Sequence, residues 1–135
     1  MACLRTYSTL RIISSVYSPD EISKMLCIEP TRTRPRDIKA KYRHEREKHA
    51  WFFETRENIQ STNSEDHIQY IVSTFSEKVK EFQKLEKEGC FLNIFSFWAG
   101  NGQGGPLLSP ELLAKLGELR FSVSWDNYFE EDNET

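Results

Sequence analysis

Residues 90–98, CFLNIFSFW, carry aromatic or aliphatic side chains on both alternating faces of an extended chain. An edge strand wetted on one side alternates apolar with polar residues, so this segment belongs in the interior of a sheet, buried on at least one side. The other elements can be arranged around it.

On its C-terminal side the segment runs into FWAGNGQGGPLLSPELL, residues 97–113, a glycine-rich loop followed by a helix start. Ser109 is placed as the cap, Pro110 as the first helical residue, Leu112, Leu113 and Leu116 as the inward stripe, and Gly117 as the stop. RFSVSWDNY, residues 120–128, then sets Phe121, Val123 and Trp125 on one strand face against Ser122, Ser124 and Asp126 on the other. The acidic tail FEEDNET, residues 129–135, is expected to fray.

On its N-terminal side lies the longest periodic element, residues 65–88. Ile68, Ile71, Val72, Phe75, Val79, Phe82 and Leu85 recur every three or four positions, which predicts one long amphipathic helix capped by Ser64 and stopped by Gly89. AWFFETR, residues 50–56, is a strand with Trp51 and Phe53 on one face and Phe52 and Glu54 on the other. Residues 31–50 are nearly without large apolar groups and are expected at the surface with one edge strand. YSTLRIISS, residues 7–15, reads as a strand. After it Ser18, Pro19 and Glu21 form a helix start with a capping box, and Ile22, Met25 and Leu26 form its apolar stripe up to Cys27. The two strand, loop and Ser-Pro helix segments echo each other and hint at two related halves.

This order predicts a single α+β domain over residues 1–135. Its mixed or antiparallel sheet of four to five strands would carry helices on one face, a two-layer sandwich related to the ferredoxin-like plan. Such a layer leaves the other sheet face, or its loops, to bind something.

The net charge of −3 gives a whole-chain field mildly repulsive to phosphate, so any partner must be chosen by local patches. Cys3, Cys27 and Cys90 are an odd count without a C-x-x-C, which speaks for free thiols rather than a disulfide framework or a zinc site. The N-terminus is interrupted by Arg5 and Arg11 and lacks the apolar core of a secretory signal, and no run of about 18 apolar residues spans a membrane. A cytoplasmic location follows.

Gly100, Gly102 and Gly105 fit G-x-G-x-x-G literally. Pro106 follows Gly105 directly, however, and the helix starts only at Ser109, so no helix dipole meets a pyrophosphate there. HEREKH, residues 44–49, spaces His44 and His49 about 140° apart around a helix by the 3.6-residue period. They cannot face one ion, so no metal and no cofactor is expected. No G-x-S-x-G elbow is present, and no catalytic residue is assigned.

Residues 31–50 hold eight Lys or Arg against three acids, a balance of +5 within a chain of net −3, so the remainder carries −8. The basic patch comprises Arg32, Arg34, Arg36, Lys39, Lys41 and Arg43. Trp98 and Trp125, beside Gly100, Gly102 and Asp126, and followed by Tyr128, Glu130, Glu131 and Asp132, are the residues read as an interaction surface with aromatic anchors and an acidic field.

Three motifs together resemble the domain-of-unknown-function 4279 group of small bacterial proteins. They are TYSTLRIISSVYSPDEISKMLCIEPTRTRPRD with its Ile-Glu-Pro turn, the tryptophan strand AWFFET, and SPELLAKLGELRFSVSWDNY ending Asp-x-Tyr. The resemblance covers nearly the whole chain and bears on the fold; it supplies no catalytic residues. The leading functional expectation is a non-enzymatic cytosolic protein that binds another protein, as an immunity-type inhibitor of a toxin domain does. The alternatives are RNA or phosphate binding through the basic segment, and a small-ligand or enzymatic pocket near the glycine loop at 100–105.

Overall fold

The computed structural model describes residues 3–101 and 106–130. Its centre is β1 (Cys3–Ser14), which pairs antiparallel with β3 (His49–Glu54) on one side and with β4 (Phe91–Asn101) on the other. A three-residue strand, β2 (Arg32–Arg34), extends the sheet beyond β3, and β5 (Ser122–Glu130) extends it beyond β4, giving the order β2-β3-β1-β4-β5. The segment 90–98 is therefore interior, as its composition requires, and the sheet is mixed because β5 runs parallel to β4. A parallel neighbour needs a crossover, and α5 (Pro110–Glu118) supplies it.

Register follows from side-chain alternation. Leu10 lies opposite both Phe53 and Ile94, Ile12 opposite Trp51 and Leu92, and Ile94 opposite Val123. All of these side chains project to one face, where α1 (Pro19–Leu26), α3 (Ser64–Phe75), α4 (Val79–Lys87) and α5 bury their apolar stripes. The centre of this layer is a chain of edge-to-face rings: Phe53 on Phe75 at 5.2 Å, Phe75 on Phe82 at 5.5 Å, and Phe82 on Phe121 at 4.7 Å. Trp51 is wholly buried, and its indole N–H donates to Ser23 Oγ at 3.0 Å.

Local chemistry sets the helix ends. The Glu21 N–H donates to Ser18 Oγ and the Ser18 N–H to Glu21 Oε1, a complete capping box, and Cys27 closes α1 in the left-handed conformation at φ 58°. Gly89 stops α4 at φ 92°. Ser109 caps α5, while its own N–H donates to Glu65 Oε2 at 3.0 Å and ties α5 to α3.

Several expectations are corrected. The predicted long helix is two helices joined by a turn at 76–78, where the Ser76 hydroxyl donates to the Ser73 carbonyl at 3.1 Å and the Lys78 N–H to the Phe75 carbonyl. The apolar stripe passes through this turn in phase, so periodicity alone does not reveal it. Asn63, not Ser64, is the cap of α3. Gly117 does not stop α5, which ends one residue later with Arg120 at φ 66°, and Leu113 is 53% exposed rather than inward. Phe129 and Glu130 pair with Gly100 and Asn101 in β5, and the rest of the tail lies outside the described residues. Both Ser-Pro helices lead to a strand running in the same direction as the one before, but α1 joins β1 to β2 with β3 lying between them, whereas α5 joins the direct neighbours β4 and β5. Apart from the five-residue helix Arg43–Glu47, the elements from β1 to β4 run β-α-β-β-α-β, with α3 and α4 together in the second helical place, and α5 and β5 are added after them.

One polar cluster is sealed within the helical layer. Its centre is His67, 1% exposed, whose Nε2 lies 2.8 Å from the Ser61 carbonyl and whose Nδ1 lies 2.6 Å from Thr55 Oγ1. A carbonyl only accepts, so Nε2 carries the proton and Nδ1 takes that of Thr55. Thr55 Oγ1 in turn accepts the Ser8 N–H at 3.0 Å, which fastens the 55–63 loop to β1.

Candidate functional site

The core side chains of α1, α3, α4 and α5 all meet the sheet on the same face, and α2 (Arg43–Glu47) buries no residue. The opposite face therefore presents the alternate residues of every strand. Across its centre Tyr7 lies opposite Phe97, Thr9 opposite Phe95, and Arg11 opposite both Asn93 and Phe52; Phe97 lies opposite Asp126 and Ala99 opposite Tyr128. Rings and guanidiniums interleave on a surface that no core helix covers.

Their contacts are ordered. Tyr7 stacks on Phe97 at 5.0 Å and 17°, and Phe97 meets Tyr128 at 5.4 Å. Arg5 lies within 6 Å of Tyr7 and Phe97, at 5.8 and 5.5 Å, while Arg56 covers Tyr7 at 3.9 Å and Arg32 covers Phe52 at 4.0 Å. Arg11 sits over Phe95 at 4.6 Å. Its Nε and Nη2 donate to Asn93 Oδ1 at 3.0 and 2.6 Å, and burial lowers its pKa from the ordinary value.

Asn93, 2% exposed, is held from the neighbouring strand β5: Ser124 Oγ donates to Oδ1 at 3.2 Å, and Nδ2 donates to Ser122 Oγ at 3.1 Å. Among the described residues Arg56 pairs with Glu54 and Arg34 with Glu45, whereas Arg5, Arg11 and Arg32 form no ion pair. Guanidiniums held by rings and amides rather than by carboxylates leave their charge uncompensated for an incoming anion.

The residues read from the sequence separate into groups. Trp98 is corrected: it is 2% exposed on the helical face, against Phe129 at 5.4 Å, because its register sets it opposite Thr6. Trp125 is also on the helical face, packed against the core, and Gly100 is buried between Cys3 and Phe129. Asp126 and Tyr128 do lie on the open face, and Tyr128 is 54% exposed. Glu130 pairs with Asn101 at the end of β5. Gly102, Gly105, Glu131 and Asp132 lie outside the described residues.

Of the basic patch, Arg32 and Arg34 stand on β2 at the far border of the sheet, while Arg36, Lys39, Lys41 and Arg43 are exposed on the excursion that follows. Arg43 is paired with Glu47 at 2.9 Å. His44 is on α2, and His49 on β3 accepts the Arg36 N–H through Nδ1 at 3.0 Å, so the two histidines have separate roles. Sequence reasoning passed over Arg5, Tyr7, Arg11, Phe91, Phe95, Phe97 and Arg56. The available signal was Arg5, Tyr7 and Arg11 at even spacings in one strand and Phe91, Phe95 and Phe97 in another, each set sharing a face.

A family model described as Domain of unknown function (DUF4279) matches residues 5–130. No curated protein and no solved structure matches the chain.

Proposed function

The chain belongs to the DUF4279 family, and from that premise we propose that it is a binding protein whose open sheet face takes single-stranded nucleic acid. The observation that carries the reading is the interleaving of Tyr7, Phe91, Phe95, Phe97 and Tyr128 with Arg5, Arg11 and Arg32, cations without a carboxylate partner among the described residues. Every base has a π-face, so a ring platform accepts bases regardless of sequence, at about 1–3 kcal/mol per stacked base. Guanidiniums beside the rings meet the phosphates. From Phe91 to Phe97 the strand advances about 20 Å at the usual rise per residue, the scale of the smallest sites of about four nucleotides.

The net charge of −3 does not oppose this, because acids gather on the helical layer at Asp20, Glu21, Glu65, Asp66, Glu86 and Glu111. The test is fluorescence anisotropy of a labelled single-stranded RNA with the full chain. Binding at about 50 mM salt should weaken log-linearly with salt, with a slope of about −2 to −3 for three or four phosphates. Absence of binding at low salt overturns the reading.

A second reading, an immunity-type protein that neutralises a basic toxin domain, is favoured by Asp126 and the exposed Tyr128 on the same face. It expects stable capture of such a domain, lost on Asp126→Lys, with RNA unable to compete.

A further inference from the structure

Building on the reading of the open face as a nucleic-acid platform, we propose that its β2 end holds a pocket for one nucleotide unit, with the phosphate on Arg34 and the base on Phe91. The cleft there, of about 400 Å³, is lined by Arg11, Arg34, His44, Lys48, Phe52 and Phe91 among others, and no carboxylate lines it. Its size falls within the range of about 300–1,000 Å³ usual for small-molecule sites.

Arg34 is the observation that points to a ligand. Its Nε is buried and has no hydrogen-bond partner, while its Nη1 pairs with Glu45 Oε1 at 3.5 Å. A buried donor left unmatched is unfavourable, so a turn of the side chain that presents the guanidinium edge to two oxygens of one phosphate relieves it.

The apolar wall supplies the other half. Phe52 is 7% exposed and already covered by Arg32, whereas Phe91 is 48% exposed, with Arg11 at 5.9 Å. The opposite wall is built in advance. Arg46 Nη1 donates to the Ala40 and Lys41 carbonyls at 3.0 and 2.9 Å, the Asp37 N–H donates to the Glu45 carbonyl, and the Arg36 N–H is tied to His49. This bracing holds His44 and Lys48 at the mouth. A flat ring joined to a compact anion matches the cleft; an anion alone leaves Phe91 unused.

The experiment titrates the full chain with uridine monophosphate and, separately, inorganic phosphate, followed by amide chemical shifts and calorimetry. Shifts should move at Arg34, His44, Lys48 and Phe91, and phosphate should bind about tenfold more weakly than the nucleotide. Arg34→Lys, which keeps the charge and removes the fork, should weaken the nucleotide about tenfold or more. Phe91→Ala, at an exposed position, should weaken the nucleotide and not phosphate, and thermal melts of each variant check that the fold persists.

Unmoved shifts, equal affinity for phosphate and nucleotide, or a well-folded Arg34→Lys that binds as wild type overturns the pocket. The two readings fail separately. If oligonucleotide binding is lost on Phe97→Ala but mononucleotide has no effect, the pocket is wrong and the platform stands. If mononucleotide binds and no oligonucleotide does, the platform is wrong and the pocket stands.

Discussion

The guanidinium of Arg11 lies 4.6 Å from the centroid of Phe95, so a charge and a ring on neighbouring strands cover one another at the middle of the open face. Arg11 is also tied to Asn93, which is itself bonded to Ser122 and Ser124 of β5. One cation thus connects three strands through a buried amide.

Arg11→Ala should therefore cost both stability and binding. Asn93 Oδ1 keeps only the Ser124 donor, and a loss of about 1–3 kcal/mol is expected in urea unfolding. RNA affinity should fall about tenfold, the equivalent of one good charged contact. Unchanged values in both assays would contradict the role given to this residue.

Phe95→Ala and Phe97→Ala should each remove a stacking surface, weakening single-stranded RNA by about 1–3 kcal/mol. Lys84→Ala, on the exposed side of α4, is the matched control and should leave affinity unchanged. Equal effects from all three would place the RNA elsewhere.

His67→Ala should be among the most destabilising single changes, at about 2–4 kcal/mol, since it leaves the Ser61 carbonyl and the Thr55 hydroxyl unmatched and opens a void. Denaturant melts measure the loss. Hydrogen exchange should rise first in the 55–63 loop, and uniform loosening of the whole chain would speak against a local fastening.

Burial, and secondarily the charge of Arg36, hold the His49 pKa below its ordinary 6.5. The unfolded chain takes up that proton before the folded one does, so the contribution to stability is present above the ordinary pKa and is lost as pH falls through the folded pKa. The melting temperature should decline on acidification below about pH 6.5, and less so in His49→Gln. A His49 ring resonance titrating above that value would refute the assignment.

Thiol chemistry should distinguish the cysteines. Cys27 is exposed, whereas Cys90 is 7% exposed, has its pKa raised by burial, and donates its S–H to Ser14 Oγ at 3.3 Å. A thiol reagent should modify Cys27 in the native protein and Cys90 only in denaturant. Rapid native labelling of Cys90 would mean that the end of β1 opens readily.

Where a strand has one apolar face, alternation assigned it correctly: Trp51 and Phe53, like Phe121, Val123 and Trp125, all point to the helices. The start of α1 was legible for the same kind of reason, since a capping box is a local interaction written within four residues. Trp98 and Phe97 were not separable, because a segment aromatic on both faces gives no phase; only pairing with Thr6 and Tyr7 of β1 fixes which side each takes. The open face was invisible for a related reason. Its rings and cations come from strands about 20 to 120 positions apart in the chain, and sheet order is a tertiary choice that local pattern does not encode.

The two borders of the sheet are unequal. β2 offers three residues, two of them arginine, which discourages a further strand from annealing there; β5 offers nine residues, Ser122–Glu130, without proline or a basic side chain. Among the described residues no strand lies along the outer side of β5. Lateral growth of this sheet, whether by a guest peptide or in an unwanted fibre, is therefore directional, and a single lysine or proline on the outward side of β5 would be the economical way to block it.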